Sequence, residues 1–166
     1  SKSLANFITV QELIEKGYDP LSLRYLILTS HYRKGLNFSF EALDAALTAL
    51  DNIRELVFSA RNQEGRSILS SEKSQKIENY RQKFNKSFSD DLNVPQALSI
   101  LWEVMKSNIP SQDKYDLAIS FDEVLGLGLG ETKKVSFKIP KVVQKLVEER
   151  EKLRALGKFK AADVIR

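Results

Sequence analysis

The stretch Ser39-Phe40-Glu41-Ala42-Leu43-Asp44-Ala45-Ala46-Leu47-Thr48-Ala49-Leu50-Asp51-Asn52-Ile53-Arg54-Glu55-Leu56-Val57 decides the fold of this chain. Within it Leu43, Ala46, Leu47, Leu50, Ile53 and Val57 recur at intervals of three and four, which gathers them on one face of a helix. Ser39 precedes the first turn and lends an oxygen to amides that have no helical carbonyl partner there. The pattern predicts a long amphipathic helix, and such a helix is stable only when other elements cover its apolar face.

Helix signals continue on both sides. Toward the N-terminus, Asp19-Pro20 places a cap residue before a proline at the first helical position. Leu21, Leu23, Tyr25, Leu26 and Leu28 then make that segment apolar nearly all round. Further back, Thr9-Val10-Gln11-Glu12 has the spacing of a capping box. Toward the C-terminus, residues 61–71 are polar and contain glycine, so they read as a loop, and helices are predicted near 71–86, 93–107 and 111–125. Asn93-Val94-Pro95 opens the second of these, with Leu98, Leu101, Trp102 and Met105 on its apolar face; Trp102 is expected in the core rather than on a ligand platform. Leu125-Gly126-Leu127-Gly128-Leu129-Gly130 neither follows a strand nor opens a helix, so it reads as a helix stop and hinge rather than a phosphate-binding loop. Beyond it, Val135-Ser136-Phe137 is expected to be extended. Pro140 is expected to start a helix carrying Val142, Val143, Leu146, Val147 and Leu153, and Lys160 to Arg166 to form another. The fold class predicted is all-α.

The chain has 166 residues, enough for one domain or one domain plus an appendage. With no cysteine and one histidine it offers neither disulfides nor a thiolate or histidine-rich metal site. No apolar run approaches the roughly 20 residues of a membrane span, no secretory leader is recognisable, and a reducing, cytoplasmic setting is expected. Charge is uneven. Up to Gly130 there are 15 Lys+Arg against 17 Asp+Glu, a net −2; from Glu131 onward there are 11 against 5, a net +6. A basic tail of this kind suits a phosphate-backbone binder, and it equally suits a solvated linker with exposed helix faces.

His31 has no nucleophile or carboxylate near it in sequence, so a structural hydrogen bond at a helix end is favoured over a general base. Arg33 and Lys34 follow a helix, where cations favour the C-terminal dipole. Asp90 and Asp91 could be paired catalytic or metal-binding carboxylates, but without further ligands they read as a charged approach to the Asn93 cap. Phe159 and Asp163 are four apart and share a helical face within the basic tail. Either Phe159 packs on Leu156, or the pair reads RNA: an aromatic stacks on an unpaired base, and a carboxylate accepts hydrogens from the Watson–Crick edge of guanine.

Several blocks of sequence resemble one family. Ser1-Lys2-Ser3-Leu4-Ala5-Asn6-Phe7-Ile8-Thr9-Val10, Tyr18-Asp19-Pro20, Leu23-Arg24-Tyr25, Ser30-His31-Tyr32-Arg33 and Leu36-Asn37-Phe38-Ser39 form the first. Asp90-Asp91-Leu92-Asn93-Val94-Pro95-Gln96-Ala97-Leu98 is the second. Ile139-Pro140, Leu146-Val147-Glu148-Glu149-Arg150-Glu151 and Ala161-Ala162-Asp163-Val164-Ile165-Arg166 make up the third. In this order they resemble cysteinyl-tRNA synthetases, which are class I aminoacyl-tRNA synthetases. Ser1-Lys2-Ser3 would be the tail of the family's K-M-S-K-S signature, with the chain beginning inside it. Ala5 stands where the family usually has glycine, and residues 61–72 and the glycine–leucine run match nothing in it.

The resemblance implies that Lys2 is the catalytic lysine that steadies pyrophosphate charge as the adenylate forms, with Ser1 and Ser3 beside it at the ATP site. It implies three regions: 1–37, the end of the catalytic region and a stem-contact fold; 38–130, a helical bundle of the anticodon-binding type; and 131–166, a linker and the start of a truncated anticodon-proximal domain, a short basic helical appendage. The parent would join cysteine to tRNA(Cys) with ATP. Its HIGH motif and zinc ligands would lie upstream, leaving this piece inactive alone, monomeric, zinc-free and suited to tRNA. Arg33, Lys34, Lys141, Lys145, Phe159 and Asp163 are the candidate tRNA contacts, the last two because cysteine anticodons begin with guanine. Two other readings are open: a piece of the related cysteine:amino-sugar ligase of mycothiol synthesis, and a free-standing helical RNA-binding or interaction module.

Overall fold

The computed structural model describes residues 8–63 and 70–131, together with Arg150, Glu151 and Arg154. These fall into two compact units, Ser1–Val135 and Ser136–Arg166. In the second unit the three described residues are helical. The expected extended segment at 135–137 and the helix starts at Pro140 and Lys160 lie outside the described residues.

The first unit is all-α, with no strand among the described residues. Its helices are α1 (Val10–Glu15), α2 (Pro20–Leu28), α3 (Phe40–Asn62), α4 (Ser71–Ser89), α5 (Val94–Lys106) and α6 (Ser111–Leu125), followed by a 3-10 turn at Leu129–Glu131. The expected caps are in place. Thr9 and Glu12 form the reciprocal capping box of α1, Asp19 Oδ1 accepts from the Leu21 amide at 2.8 Å, Ser39 Oγ from that of Ala42 at 3.1 Å, and Asn93 Oδ1 from that of Gln96 at 3.3 Å. Each answers an amide that the helix itself leaves unpaired.

α3 is the central member. Leu43, Leu50, Ile53 and Val57 are completely buried, with α2, α5 and α6 packed against the helix. α4 closes the other side of the bundle against α5 and α6. There the Phe84 ring stacks on Phe121 with centroids 3.8 Å apart. Arg54, on α3, reaches out of this core. Its Nη1 lies 2.6 Å from Asp19 Oδ2, so one carboxylate both caps α2 and fastens it to α3. Trp102 is half-buried rather than enclosed, and its indole N–H donates to the Tyr25 hydroxyl at 2.9 Å, joining α5 to α2. α2 is less enclosed than its composition implies: Tyr25 and Leu26 are buried, but Ile27 is 52% exposed.

The glycine–leucine run stops α6 as expected, but it is anchored rather than hinge-like. Gly126 takes φ +65 at the helix end. Both carboxylate oxygens of Asp122 accept backbone N–H groups, from Leu127 and Leu129, each at 2.7 Å. Leu127 and Leu129 are sunk in the core. Arg24 Nε donates to the Leu125 carbonyl at 2.6 Å, completing the stop from α2.

A Cβ at Gly126 would fall 2.7 Å from Arg24 Nη2, whereas one at Gly17, φ +87 at the end of α1, meets nothing within 4 Å. Both substitutions carry the left-handed penalty of about 1–2 kcal/mol, but only Gly126→Ala also displaces a charged hydrogen bond, worth about 1.5–3 kcal/mol. Urea unfolding followed by circular dichroism is therefore expected to rank Gly126→Ala as clearly more destabilising than Gly17→Ala.

Candidate functional site

The turn after α2 and the turn between α4 and α5 meet at the edge of the bundle. α2 ends at Leu28, and Ser30-His31-Tyr32-Arg33 turns back toward α3. The Lys34 amide donates to the His31 carbonyl at 2.8 Å, and the Arg33 amide to His31 Nδ1 at 3.3 Å. On the opposite side, Asp91 and Leu92 have φ +54 and +50, a conformation that costs non-glycine residues about 1–2 kcal/mol each. Such strain persists only where surrounding contacts hold it.

Asp91 supplies those contacts. Its carboxylate accepts Arg33 Nε at 2.6 Å and Nη2 at 2.8 Å, a two-pronged pair, and the Tyr32 hydroxyl at 2.7 Å. His31 Nε2 lies 3.8 Å away. The His31 and Tyr32 rings stack with centroids 5.0 Å apart, and the Arg33 guanidinium lies 5.3 Å from the Tyr32 ring centre. The carboxylate, the phenol and the guanidinium thus form one network at solvent. Arg33, and then Tyr32, hold the Asp91 carboxyl below its ordinary range. The bond to Asp91 pushes the Tyr32 phenol up and raises the Arg33 guanidinium further.

Beside this clasp lies a shallow, mainly apolar groove of about 400 Å³, lined by Ile27, Leu36, Leu92 and Val94, with His31 and Lys34 at its margin.

Of the residues singled out in the sequence, Arg33 and Lys34 are brought to this edge. Arg33 pairs with Asp91 rather than with the end of α2, and Lys34 is exposed on the groove. His31 makes the structural hydrogen bonds expected of it, with a carboxylate nearby that lies sixty positions away in sequence. Asn93 caps α5 as read, but Asp91 is the centre of the clasp and not merely an approach to that cap. Ser1, Lys2, Ser3, Lys141, Lys145, Phe159 and Asp163 lie outside the described residues. Tyr32 was not singled out, although an aromatic directly preceding Arg33 in a turn was a visible sign. Among the described residues no three His, Cys, Asp or Glu side chains gather as metal ligands, and the Asp91 carboxylate is taken by Arg33 and Tyr32.

Residues 1–48 match the family described as tRNA synthetases class I (C) catalytic domain. This match sets the stretch from the N-terminus into α3 with class I aminoacyl-tRNA synthetases. It is 39% identical over 166 residues to cysteine–tRNA ligase 1 of Burkholderia lata, which covers all of this chain and 33% of that protein. It is 39% identical over 180 residues to the cysteine–tRNA ligase of Borrelia turicatae, covering all of this chain and 37% of that one. With the ligase of Brachyspira hyodysenteriae the identity is 31% over 179 residues, covering all of this chain and 38% of that protein. The chain belongs to the cysteine–tRNA ligase family, and it spans about a third of the length of these relatives.

Because the folded Asp91 carboxyl sits below its ordinary range, the clasp contributes stability above the unfolded aspartate value and loses it as pH falls through the folded one. Carboxyl-carbon NMR is expected to show Asp91 titrating below a free aspartate, and Arg33→Ala to return it toward the ordinary range.

Proposed function

We propose that this chain is the tRNA-contacting helical part of a cysteine–tRNA ligase. The observation that carries this reading is the alignment of its whole length, at 39% identity, with ligases about three times as long. The whole protein activates cysteine with ATP and passes it to tRNA(Cys) in the cytoplasm, acting as a monomer. In that reaction Lys2, between Ser1 and Ser3, holds the charge that builds on departing pyrophosphate. Selection of cysteine by zinc belongs to parts of the protein other than these residues, and the chain alone does not catalyse.

Residues 1–37 close the catalytic region and contact the acceptor stem, residues 38–130 lie along the tRNA, and residues 131–166 approach the anticodon. Electrostatics support the middle assignment. The segment up to Gly130 has a net charge of −2, yet α4 carries Lys73, Lys76, Arg81, Lys83 and Lys86 against Glu72 and Glu78. Lys83 and Lys86 are exposed on this helix, near a polar groove lined by Gln75, Asn79 and Gln82. Ammonium groups there neutralise phosphates and release counterions. Arg33 and Lys34 in the turn after α2, and Lys141 and Lys145 in the basic tail, are further cations suited to phosphates. Phe159 stacks on an anticodon base while Asp163 accepts from the guanine edge.

Anisotropy titrations of labelled tRNA(Cys) with this chain are expected to weaken steeply as salt rises. Lys83→Glu with Lys86→Glu is expected to lower affinity and flatten the dependence by about two charges. An affinity indifferent to salt would remove the electrostatic basis of the reading. In the whole ligase, Asp163→Asn is expected to narrow the preference for wild-type over anticodon-altered tRNA, measured as the ratio of aminoacylation efficiencies. An unchanged ratio removes Asp163 as a reader.

A further inference from the structure

Arg33 is gripped along one edge only. A guanidinium carries five N–H donors in one plane, one on Nε and two on each Nη. Asp91 takes Nε at 2.6 Å and Nη2 at 2.8 Å, which leaves the Nη1 side of the fork without a bond among the described residues. The Arg33 side chain is 66% exposed, so the open edge is accessible. The carboxylate that grips it is itself braced. The Tyr32 hydroxyl donates to Asp91 Oδ1 at 2.7 Å. The backbone around Asp91 is tied to the end of α4, with the Asp90 amide on the Lys86 carbonyl at 2.9 Å, the Leu92 amide on that of Phe88 at 3.2 Å, and the Asn93 amide on that of Ser87 at 2.8 Å. Arg33 is therefore pinned in one plane by a partner that does not move freely.

Stability does not account for this arrangement. An ion pair so exposed contributes little, because water screens it and two side chains must be ordered to form it. Asp91 also stands at φ +54, where a glycine holds the backbone without strain. Its carboxylate makes no bond to its own turn among the described residues; it reaches across to Arg33 and Tyr32, with His31 Nε2 at 3.8 Å. What the clasp supplies is direction. The guanidinium is ordered before a ligand arrives, and preorganised donors bind at a lower entropic cost. The open edge suits two oxygens of a phosphate, which arginine holds in fork fashion. Charge alone does not recommend this place to RNA, since Arg33 and Lys34 are matched in number by Asp90 and Asp91. Its advantage is aim.

We propose that Asp91, braced by the Tyr32 hydroxyl, is a positioning residue that aims the open edge of Arg33 at a backbone phosphate of tRNA. This rests on the reading of the chain as a tRNA-contacting one. It adds that a carboxylate outside the catalytic-family match sets the geometry of a cation inside it. The consequence is opposite in sign to simple electrostatics. Asp91→Asn removes a negative charge from the edge, which by field alone tightens RNA binding, whereas loss of aim weakens it.

The test is an anisotropy titration of labelled tRNA(Cys) over a range of salt, with the full chain and with Asp91→Asn, Arg33→Lys, Arg33→Ala and the Asp91→Asn/Arg33→Ala pair. Asparagine tolerates the left-handed backbone, and circular dichroism checks that each variant is folded. Asp91→Asn is expected to weaken binding about fivefold although it raises the net charge by one, and to reduce the salt slope by about one. Arg33→Lys keeps the charge but not the fork, and is expected to weaken binding similarly. In the Arg33→Ala background Asp91→Asn is expected to cause no further loss. Equal or tighter binding by Asp91→Asn overturns the proposal, as does an unchanged salt slope. A further loss in the Arg33→Ala background also overturns it, because Asp91 then acts through the fold and not through the guanidinium. If Asp91→Asn is unfolded, Arg33→Lys decides: weakened binding supports the proposal and undiminished binding overturns it. A chain with its own residues intact that does not bind tRNA removes the underlying reading and the proposal together. Binding by that chain with an unaffected Asp91→Asn removes the positioning role alone.

Discussion

A helix of 23 residues that carries Leu43, Leu50, Ile53 and Val57 on one side must lose that side to other elements, and α3 loses it to three helices at once. Burial of each such side chain contributes about 1.5–3 kcal/mol, and the rest of the unit is arranged to make it complete. Asp19 is the point at which the arrangement is made specific. By capping α2 and holding Arg54 on α3, it sets where α2 begins and which turn of α3 it faces. Asp122 and Arg24 do the corresponding work at the far end of α6. Charged groups in this fold thus fix positions, while aliphatic ones supply the driving force.

Much of this was legible in the sequence because its signals are local. Thr9 with Glu12, Asp19 with Pro20, Ser39, and Asn93 with Pro95 each announce a helix start within four residues, and every one is seen. The three-four spacing in 39–57 picked out the face of α3 that is buried. What escaped is long-range. Nothing near Asp91 in sequence says that Arg33, fifty-eight positions earlier, will grip it, so its neighbour Asn93 attracted the reading instead. The glycine–leucine run was half legible: glycine's freedom predicted the stop, but the Asp122 carboxylate that anchors it is not part of the repeat. The openness of α2 was illegible for a related reason, since composition shows what is apolar and not what remains to cover it.

Family membership and fold divide the chain differently. The catalytic-family match runs through residue 48, well into α3, whereas packing joins α2 and α3 into one core. The segment related to catalysis and the bundle are therefore continuous. The clasp, the Asp19–Arg54 pair and the Trp102–Tyr25 bond each join the two.

Trp102 gives that continuity an optical readout. It is the only tryptophan in the chain, its indole N–H is bonded to the Tyr25 hydroxyl, and Lys106 lies 5.3 Å from its ring centre. Its ultraviolet emission therefore arises from a contact between α5 and α2. Energy absorbed by Tyr25 has an acceptor at contact distance, and separation of the two helices would release tyrosine emission and shift the indole band to the red. The protein thus carries an intrinsic fluorophore where α5 meets α2, and events at that contact are readable without any added label.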